Sequence, residues 1–476
     1  MVGFRGIINP CPSKGFLIRK LNALPISHST YSLVVYIIKL MKFYIKTFGC
    51  QMNFNDSERM KGILNGLGYE QAHNYEEADL ILINTCTIRE KPDQKVYSLL
   101  GEYKKIKEKN PKALIGVCGC LAQRMGWELV KKTPIVDIMF SSYNMHQLPE
   151  LIQQAQAGYK AIAILENPPE DEDKLWEYPT VRDNQYCAYV TVMKGCDKNC
   201  TYCVVPKTRG RQRSRSLESI LSEVRSLVYD GVKEIHLLGQ NVTAWGQDIG
   251  MHFSELLYRV AEVNGVERIR FTTGHPRDMD KRIVEAMGEI PKVCEHIHLP
   301  VQAGSNRILK LMDRGYTKEE YLEKIQMLRE YKRGITFSTD IIVGFPTETE
   351  EDFEETLELI NTVKFEQIFS FKFSPRPDTP AYSMEGQVPD QVKTQRMDAL
   401  LKAQKVILSE IAKEYEGTYQ EVLIESWEDG KLVGRTRTNR WATMEGPQEL
   451  LGKTVKAQVV KAHPYNLECS ILSVLS

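Results

Sequence analysis

Between residues 41 and 165 the sequence alternates short apolar runs with longer amphipathic ones. FYIKTF, ADLILIN, KALIGV, VDIMF and AIAIL are apolar and rich in β-branched residues, as strands buried on both faces are. NDSERMKGILNGLG and QKVYSLLGEYKKIKEKN between them have the character of helices. Alternating βα units leave few choices: a parallel sheet covered by helices, with functional sites at the carboxyl ends of its strands.

The acidic stretch ENPPEDEDKLWEYP (166–179) reads as a linker. Beyond it YCAYVTVM, EIHLLG, ERIRFTT, CEHIHLP, ITFSTDIIVG and EQIFSFKF alternate with helices, the pattern of a partial (β/α)6 barrel or an open α/β sheet. The last helix, roughly residues 389–415, is long and highly charged. After Gly417, TYQEVLIES, KLVGRTRT, RWATMEG and KTVKAQVVKA are short strands between glycine and charged turns, which suggest a small β-barrel. The expected α/β fold therefore has an N-terminal parallel α/β domain (41–165), a linker (166–180), a central partial (β/α)6 barrel (181–413) and a small C-terminal all-β barrel (414–476). Residues 1–40 carry no such pattern and read as an extension, with Met41 as an alternative start and a targeting peptide as a further alternative. Their longest apolar run, LVVYII, is too short for a bilayer, which takes about 20 residues.

The formal net charge is zero, so total charge selects no partner. Eleven cysteines without a secretory signal, several closely spaced, favour reduced thiolates and metal in the cytoplasm over a disulfide framework. KGCDKNCTYC follows the first strand of the second series and spaces Cys196, Cys200 and Cys203 as C-x3-C-x2-C. Zinc sites and simple ferredoxin clusters take four protein ligands. Three thiolates hold three irons of a cubane cluster and leave the fourth iron for a small molecule. In the first domain Cys50 (TFGCQMN), Cys86 (INTCTIRE) and Cys120 (VCGCLAQ) each follow a strand by one or two residues, so three thiols can converge at one sheet edge. Strand alternation does not choose between Cys118 and Cys120. Cys11, Cys187, Cys294 and Cys469 lack such company and read as structural.

C-x3-C-x2-C at this position resembles the signature of the radical S-adenosylmethionine (SAM) superfamily, whose open iron is chelated by the methionine part of SAM. On that resemblance Gln240 and Asn241 stand where many members carry Gly-Gly-Glu, and they are candidate SAM contacts with Gln302, Ser305, Arg314, Asp340 and Gly344. Two three-cysteine groups followed by a small β-barrel resemble the methylthiotransferases, from Met41 almost to the C-terminus. GCQMNFNDSE, NTCTIREKP and GCLAQ are most like the branch that acts on N6-isopentenyladenosine beside the tRNA anticodon, and FKFSPRPDTPA (371–381) is similar to a family stretch near the active site. The resemblance implies Cys120 rather than Cys118 as ligand, two 4Fe–4S clusters on the six catalytic cysteines, and a small barrel of the RNA-binding TRAM type. It implies SAM as both methyl donor and source of the radical that takes hydrogen from C2 of adenine. An electron donor such as flavodoxin or ferredoxin is expected with it. Sister substrates, N6-threonylcarbamoyladenosine of tRNA or an aspartate of a ribosomal protein, are alternatives. So is a non-catalytic iron–sulfur RNA-binding protein, which needs fully ligated clusters.

PKTRGRQRSR (206–215) supplies Lys207, Arg209, Arg211, Arg213 and Arg215 without an acid, directly after the cysteine loop. Its position suggests phosphate contacts, whose affinity falls steeply with salt. GRTRTNRW supplies Arg435, Arg437 and Arg440 beside Trp441, a cationic surface with a ring for base stacking; a core position is the alternative for that tryptophan. His275, ending the third strand of the second series, has either a structural role or a substrate contact. The expected partner is a tRNA anticodon stem-loop, met by a cytoplasmic, membrane-free monomer.

Overall fold

The computed structural model describes residues 40–86, 90–164, 176 and 179–476, with backbone alone for 90–94. The N-terminal extension with Cys11 and most of the acidic linker lie outside the described residues. Among the described residues no helix is long and apolar enough to cross a membrane.

The first sheet holds β1 (Lys42–Phe48), β2 (Glu70–Gln71), β3 (Leu80–Thr85), β4 (Leu114–Gly119), β5 (Ile138–Phe140) and β6 (Ala161–Ala163). All are parallel, in the order β2-β1-β3-β4-β5-β6. Helices cover both faces, and apolar side chains pack on each side in separate cores. Two-residue β2, of sequence EQ, shows no period that a sequence reading could detect.

The central domain runs through β7 (Cys187–Thr191), the short antiparallel ladder of β8 (Met193–Lys194) with β9 (Arg213–Ser214), then β10 (Glu234–Leu238), β11 (Arg268–Phe271), β12 (His296–His298), β13 (Thr336–Val343) and β14 (Gln367–Lys372). Parallel triplets β11-β10-β7 and β12-β13-β14 meet at a bridge between Ile269 and Val293, so the six strands follow chain order around an open arc. This is the expected partial (β/α)6 barrel. Alternate residues Ile235, Leu237, Ile269, Phe271, Ile297, Phe337 and Ile341 pack in the helix-covered core. The intervening Glu234, His236, Arg268, Arg270, His298, Ser338 and Asp340 line a polar lumen.

β15 (Tyr419–Glu428), β16 (Lys431–Thr436), β17 (Trp441–Met444), β18 (Thr454–Ala462) and β19 (Asn466–Val474) close a small barrel in the order β15-β16-β17-β19-β18. The fifth strand, NLECSILSV, is one more than the sequence suggests.

The three parts stack. The small barrel docks beneath the amino ends of the central strands, while the helix Gln51–Gly66 of the first domain crosses their carboxyl ends. That helix is polar yet buried on most sides. Asn55 Nδ2 donates to Tyr189 O at 3.1 Å and its Oδ1 accepts from Thr191 Oγ1 at 2.8 Å. Gly62 allows the close approach: a Cβ there would lie 1.7 Å from Pro179 O.

Candidate functional site

β1, β3 and β4 are neighbours whose last residues are in register: Phe48 pairs with Thr85, and Thr85 with Gly119. Cys50, Cys86 and Cys120 therefore leave the sheet at one level, from strands roughly 4.8 Å apart. Two asparagines brace this edge. Asn53 Nδ2 donates to Asn84 Oδ1 at 3.1 Å, and Asn84 Nδ2 donates to Asn53 O at 2.7 Å and Ser57 Oγ at 2.9 Å. Both lie inside GCQMN and INTC, so their signal was adjacency to the cysteines. Cys50 Sγ stands 3.5 Å from Asn53 Oδ1. Cys118 turns away from the trio into the core under Gln51–Gly66, with Sγ 3.7 Å from Met60 Sδ.

A hydrogen bond from Cys86 and the charge of Arg209 hold the Cys120 thiol down at about 6, against the effect of burial. Cys50 is open to solvent at the loop rim yet closely surrounded by protein; that crowding raises its thiol while Arg209 opposes the rise. Among the described residues no group of three or more His, Cys, Asp or Glu side chains is placed to hold a metal ion. The trio is brought together as strand ends and pairwise contacts.

The second trio lies in the loop 195–212, closed at its neck by β8 and β9. Gly195 N donates to Gln240 Oε1 at 2.7 Å, and Lys198 Nζ to Asp278 Oδ1 at 2.7 Å. Thr201 N donates to Met312 O at 3.1 Å. Each sulfur receives a donor: Lys198 N to Cys196 Sγ at 3.4 Å, Arg314 Nη1 to Cys200 Sγ at 3.2 Å, and Val205 N to Cys203 Sγ at 3.5 Å. Such donors stabilise thiolate ligands and tune iron–sulfur potentials. Burial pushes Cys203 up to about 12 and raises Cys196, so a metal is what would deprotonate them. In donor type, three thiols in each set are what iron–sulfur clusters take.

The expected SAM contacts divide. Gln240 holds the loop neck. Asn241 is committed at both ends, to Asp278 Oδ2 at 2.6 Å and to the His275 N–H at 3.0 Å. Ser305 caps a helix: its Oγ accepts from Ile308 N and donates to Asp352 Oδ1 at 2.5 Å. Arg314 donates to Cys200 Sγ at 3.2 Å, Pro300 O at 2.8 Å and Tyr316 Oη at 3.0 Å. Lys393 packs against Gly344, its Cγ 2.3 Å from where a Cβ would stand. Asp340 remains in the lumen, 3.7 Å from His298 Nε2, with Gln302 bridged to the same strand. His275 accepts the Arg277 N–H on Nδ1 at 3.2 Å, and its buried Nε2 has no partner.

The basic run is split by packing. Lys207 and Arg211 are exposed and Arg213 half-buried. Arg209 and Arg215, expected at phosphates, are buried. Arg215 pairs with Glu223 and lies 5.3 Å from the ring of Trp176, which Lys194 also approaches at 4.7 Å. Arg209 pairs with Asp56 in the first domain.

The arginines of the small barrel, expected to face RNA, are each paired with an acid. Arg435 makes a two-point pair with Glu425, Arg437 with Glu295, and Arg440 pairs with Glu366. From the central domain, Arg270 donates to Arg437 O and Thr436 O, and Arg268 to Arg435 O. Arg437, Arg440, Arg268 and Arg270 thus join the two barrels, while the Arg435–Glu425 pair lies within the small one. Trp441 is 46% exposed, with Arg435 lying 5.0 Å from its ring.

A C-x3-C-x2-C loop at the carboxyl end of the first strand of a partial (β/α)6 barrel defines a radical SAM protein, and the radical SAM superfamily model matches residues 190–360. That class brings SAM and a 4Fe–4S cluster. Residues 42–141 match the uncharacterized protein family UPF0004, and 413–472 the TRAM domain. The chain belongs to the tRNA-2-methylthio-N(6)-dimethylallyladenosine synthase family. It is 71% identical over 436 residues to the synthase of that name from Aquifex aeolicus (strain VF5), covering 91% of this chain and 99% of the relative. It is 55% identical to that of Hydrogenobaculum sp. (strain Y04AAS1), covering 91% and 100%. In fold it is similar to the radical S-adenosylmethionine methyltransferase TsrM from Kitasatospora setae, with a TM-score of 0.54 at 16% identity over 72% of this chain and 75% of that one.

Proposed function

We propose that this chain methylthiolates C2 of N6-isopentenyladenosine next to the anticodon of tRNA. The observation that carries the reading is the pair of cysteine trios: one at an in-register sheet edge, the other in the adjoining loop, linked through Arg209 and Asp56. Cys196, Cys200 and Cys203 hold the radical SAM 4Fe–4S cluster; Cys50, Cys86 and Cys120 hold an auxiliary one. Bound SAM and the clusters supply the one-electron chemistry and the methylthio group that an inert aromatic C–H requires.

The protein's own part is positioning and exclusion of water. Arg314 and the Lys198 and Val205 amides orient the second trio. Asp278 receives both Lys198 and Asn241, which ties the cysteine loop to the end of β10. Gln302 and Asp340 are left to meet SAM in the lumen. The helix Gln51–Gly66 covers the carboxyl ends of the strands and shields the space between the trios. Exposed Lys207 and Arg211 meet RNA phosphates, and Trp441 stacks on an unpaired base of the anticodon arm. Splaying a loop base out of its stack is cheap. The chain works in the cytoplasm as a monomer, with a flavodoxin or ferredoxin as reductant.

The test is anaerobic reconstitution with reductant, SAM and isopentenylated tRNA, read by nucleoside mass spectrometry. The 2-methylthio nucleoside and 5′-deoxyadenosine are expected together. Absence of both from fully loaded protein refutes the reading.

A further inference from the structure

Arg209 belongs to the loop of the second trio but places its side chain against the first. It ends the short helix Val205–Arg209. Its Nε donates to Cys120 Sγ at 3.2 Å and its Nη2 to Asp56 Oδ2 at 3.2 Å, while Nη1 is buried without a hydrogen-bond partner. The guanidinium is 3% exposed and the Asp56 carboxylate 5%. The Arg209 carbonyl accepts from Tyr143 Oη, and the next carbonyl, Gly210 O, accepts from Cys196 N at 3.2 Å. One short piece of chain thus touches Cys120 through a side chain and Cys196 through a peptide.

Desolvating a guanidinium costs several kcal/mol unless paired and hydrogen-bonded. Asp56 balances the charge but leaves donors over. Of those donors Nε meets the Cys120 sulfur and Nη1 is unmatched. A cluster on three thiolates carries net negative charge, which grows by one when it is reduced. A fixed cation one hydrogen bond away stabilises that reduced form more than the oxidised one. A simple domain clamp would need only the Asp56 pair.

We propose that Arg209, supplied by the radical SAM domain, is a positioning residue that raises the reduction potential of the cluster on Cys50, Cys86 and Cys120. This rests on the reading that those cysteines hold a cluster. Asp56 moderates the effect by sharing the positive charge. Arg209 therefore makes the electronic state of one site depend on the seating of the loop that forms the other.

The test uses the full chain with Cys196, Cys200 and Cys203 all replaced by Ala, so that only the first trio binds iron. After reconstitution, iron content is measured and the midpoint potential is read by EPR-monitored redox titration. Arg209→Gln should keep its iron but become about tenfold harder to reduce, a midpoint about 59 mV more negative for one electron. Arg209→Lys should shift less, and Asp56→Asn should shift the other way. Full iron with all midpoints unmoved overturns the proposal and leaves Arg209 a clamp. No iron in the parent triple variant overturns the cluster reading itself, and the proposal with it. If Arg209→Gln cannot hold iron, the opposed shifts of Arg209→Lys and Asp56→Asn decide on the same criterion.

Discussion

Arg437 in the small barrel grips Glu295, the residue before β12, at two points: Nε to Oε2 at 2.6 Å and Nη2 to Oε1 at 3.0 Å. The same guanidinium also reaches Pro291 O and Val293 O. Burial works against the Glu295 charge, but Arg437 and Lys332 hold its carboxyl below the usual range. Breaking the pair should leave a carboxylate short of partners at a domain interface. Arg437→Ala should therefore cost about 2–3 kcal/mol. Denaturant unfolding followed by Trp441 and Trp427 fluorescence should show the small barrel separating in an earlier step. One unshifted transition would contradict this docking.

Trp441 and the exposed basic residues should affect RNA binding in different ways. Trp441→Ala removes stacking worth about 1–3 kcal/mol, roughly a 5- to 150-fold loss of tRNA affinity, at an unchanged salt slope. Replacing Lys207 and Arg211 by Gln should lower the slope of log K against log salt by about 0.7–0.9 for each phosphate no longer neutralised. Filter binding at several salt concentrations separates the two. A tryptophan variant that changes only the slope would place Trp441 outside the stacking surface.

Cys118 and Cys120 are two residues apart but face different surroundings. Cys118 Sγ packs on Met60 and lies 3.6 Å from Ile83 O, whereas Cys120 meets Arg209. Cys118→Ala should keep both iron content and turnover, with a stability loss of about 1 kcal/mol. Cys120→Ala should lose the iron of one cluster. Equal iron loss in the two variants would show that the Cys118 rotamer changes on loading.

The contrast marks how far the sequence alone could reach. The place of both trios beyond strand ends was legible because a strand pattern locates carboxyl ends. The barrel order was legible from β-branched runs with helices between them. Two-residue β2, β8 and β9 were not, since pairing by neighbours rather than period creates them. The arginine run shows the other limit. Arg209 and Arg211 are the same residue two positions apart, yet Asp56 draws one inward and solvent takes the other. Asp56 lies over a hundred residues upstream, so no local pattern could have paired them. Gly344 was readable as a position needing space, while Lys393 as the group filling it was not.

His275 offers a pH test of the region behind the second trio. Burial, then the positive charges of Arg314, Lys198 and Arg277, lower its pKa to about 2. His296, also buried, is lowered in the same direction. In the unfolded chain each takes a proton below about 6.5. Between that value and the folded pKa the unfolded state binds the extra proton, so stability falls as pH drops. Each such histidine contributes a slope that climbs to about 1.4 kcal/mol per pH unit well below 6.5. Denaturant unfolding of the metal-free chain between about pH 7 and pH 5 should show this loss. His275→Gln should reduce the loss across that window by about 2 kcal/mol, because glutamine does not titrate and its amide keeps an acceptor for the Arg277 N–H. An unchanged slope would mean that His275 is protonated in the folded protein. Its Nδ1 could not then accept from Arg277.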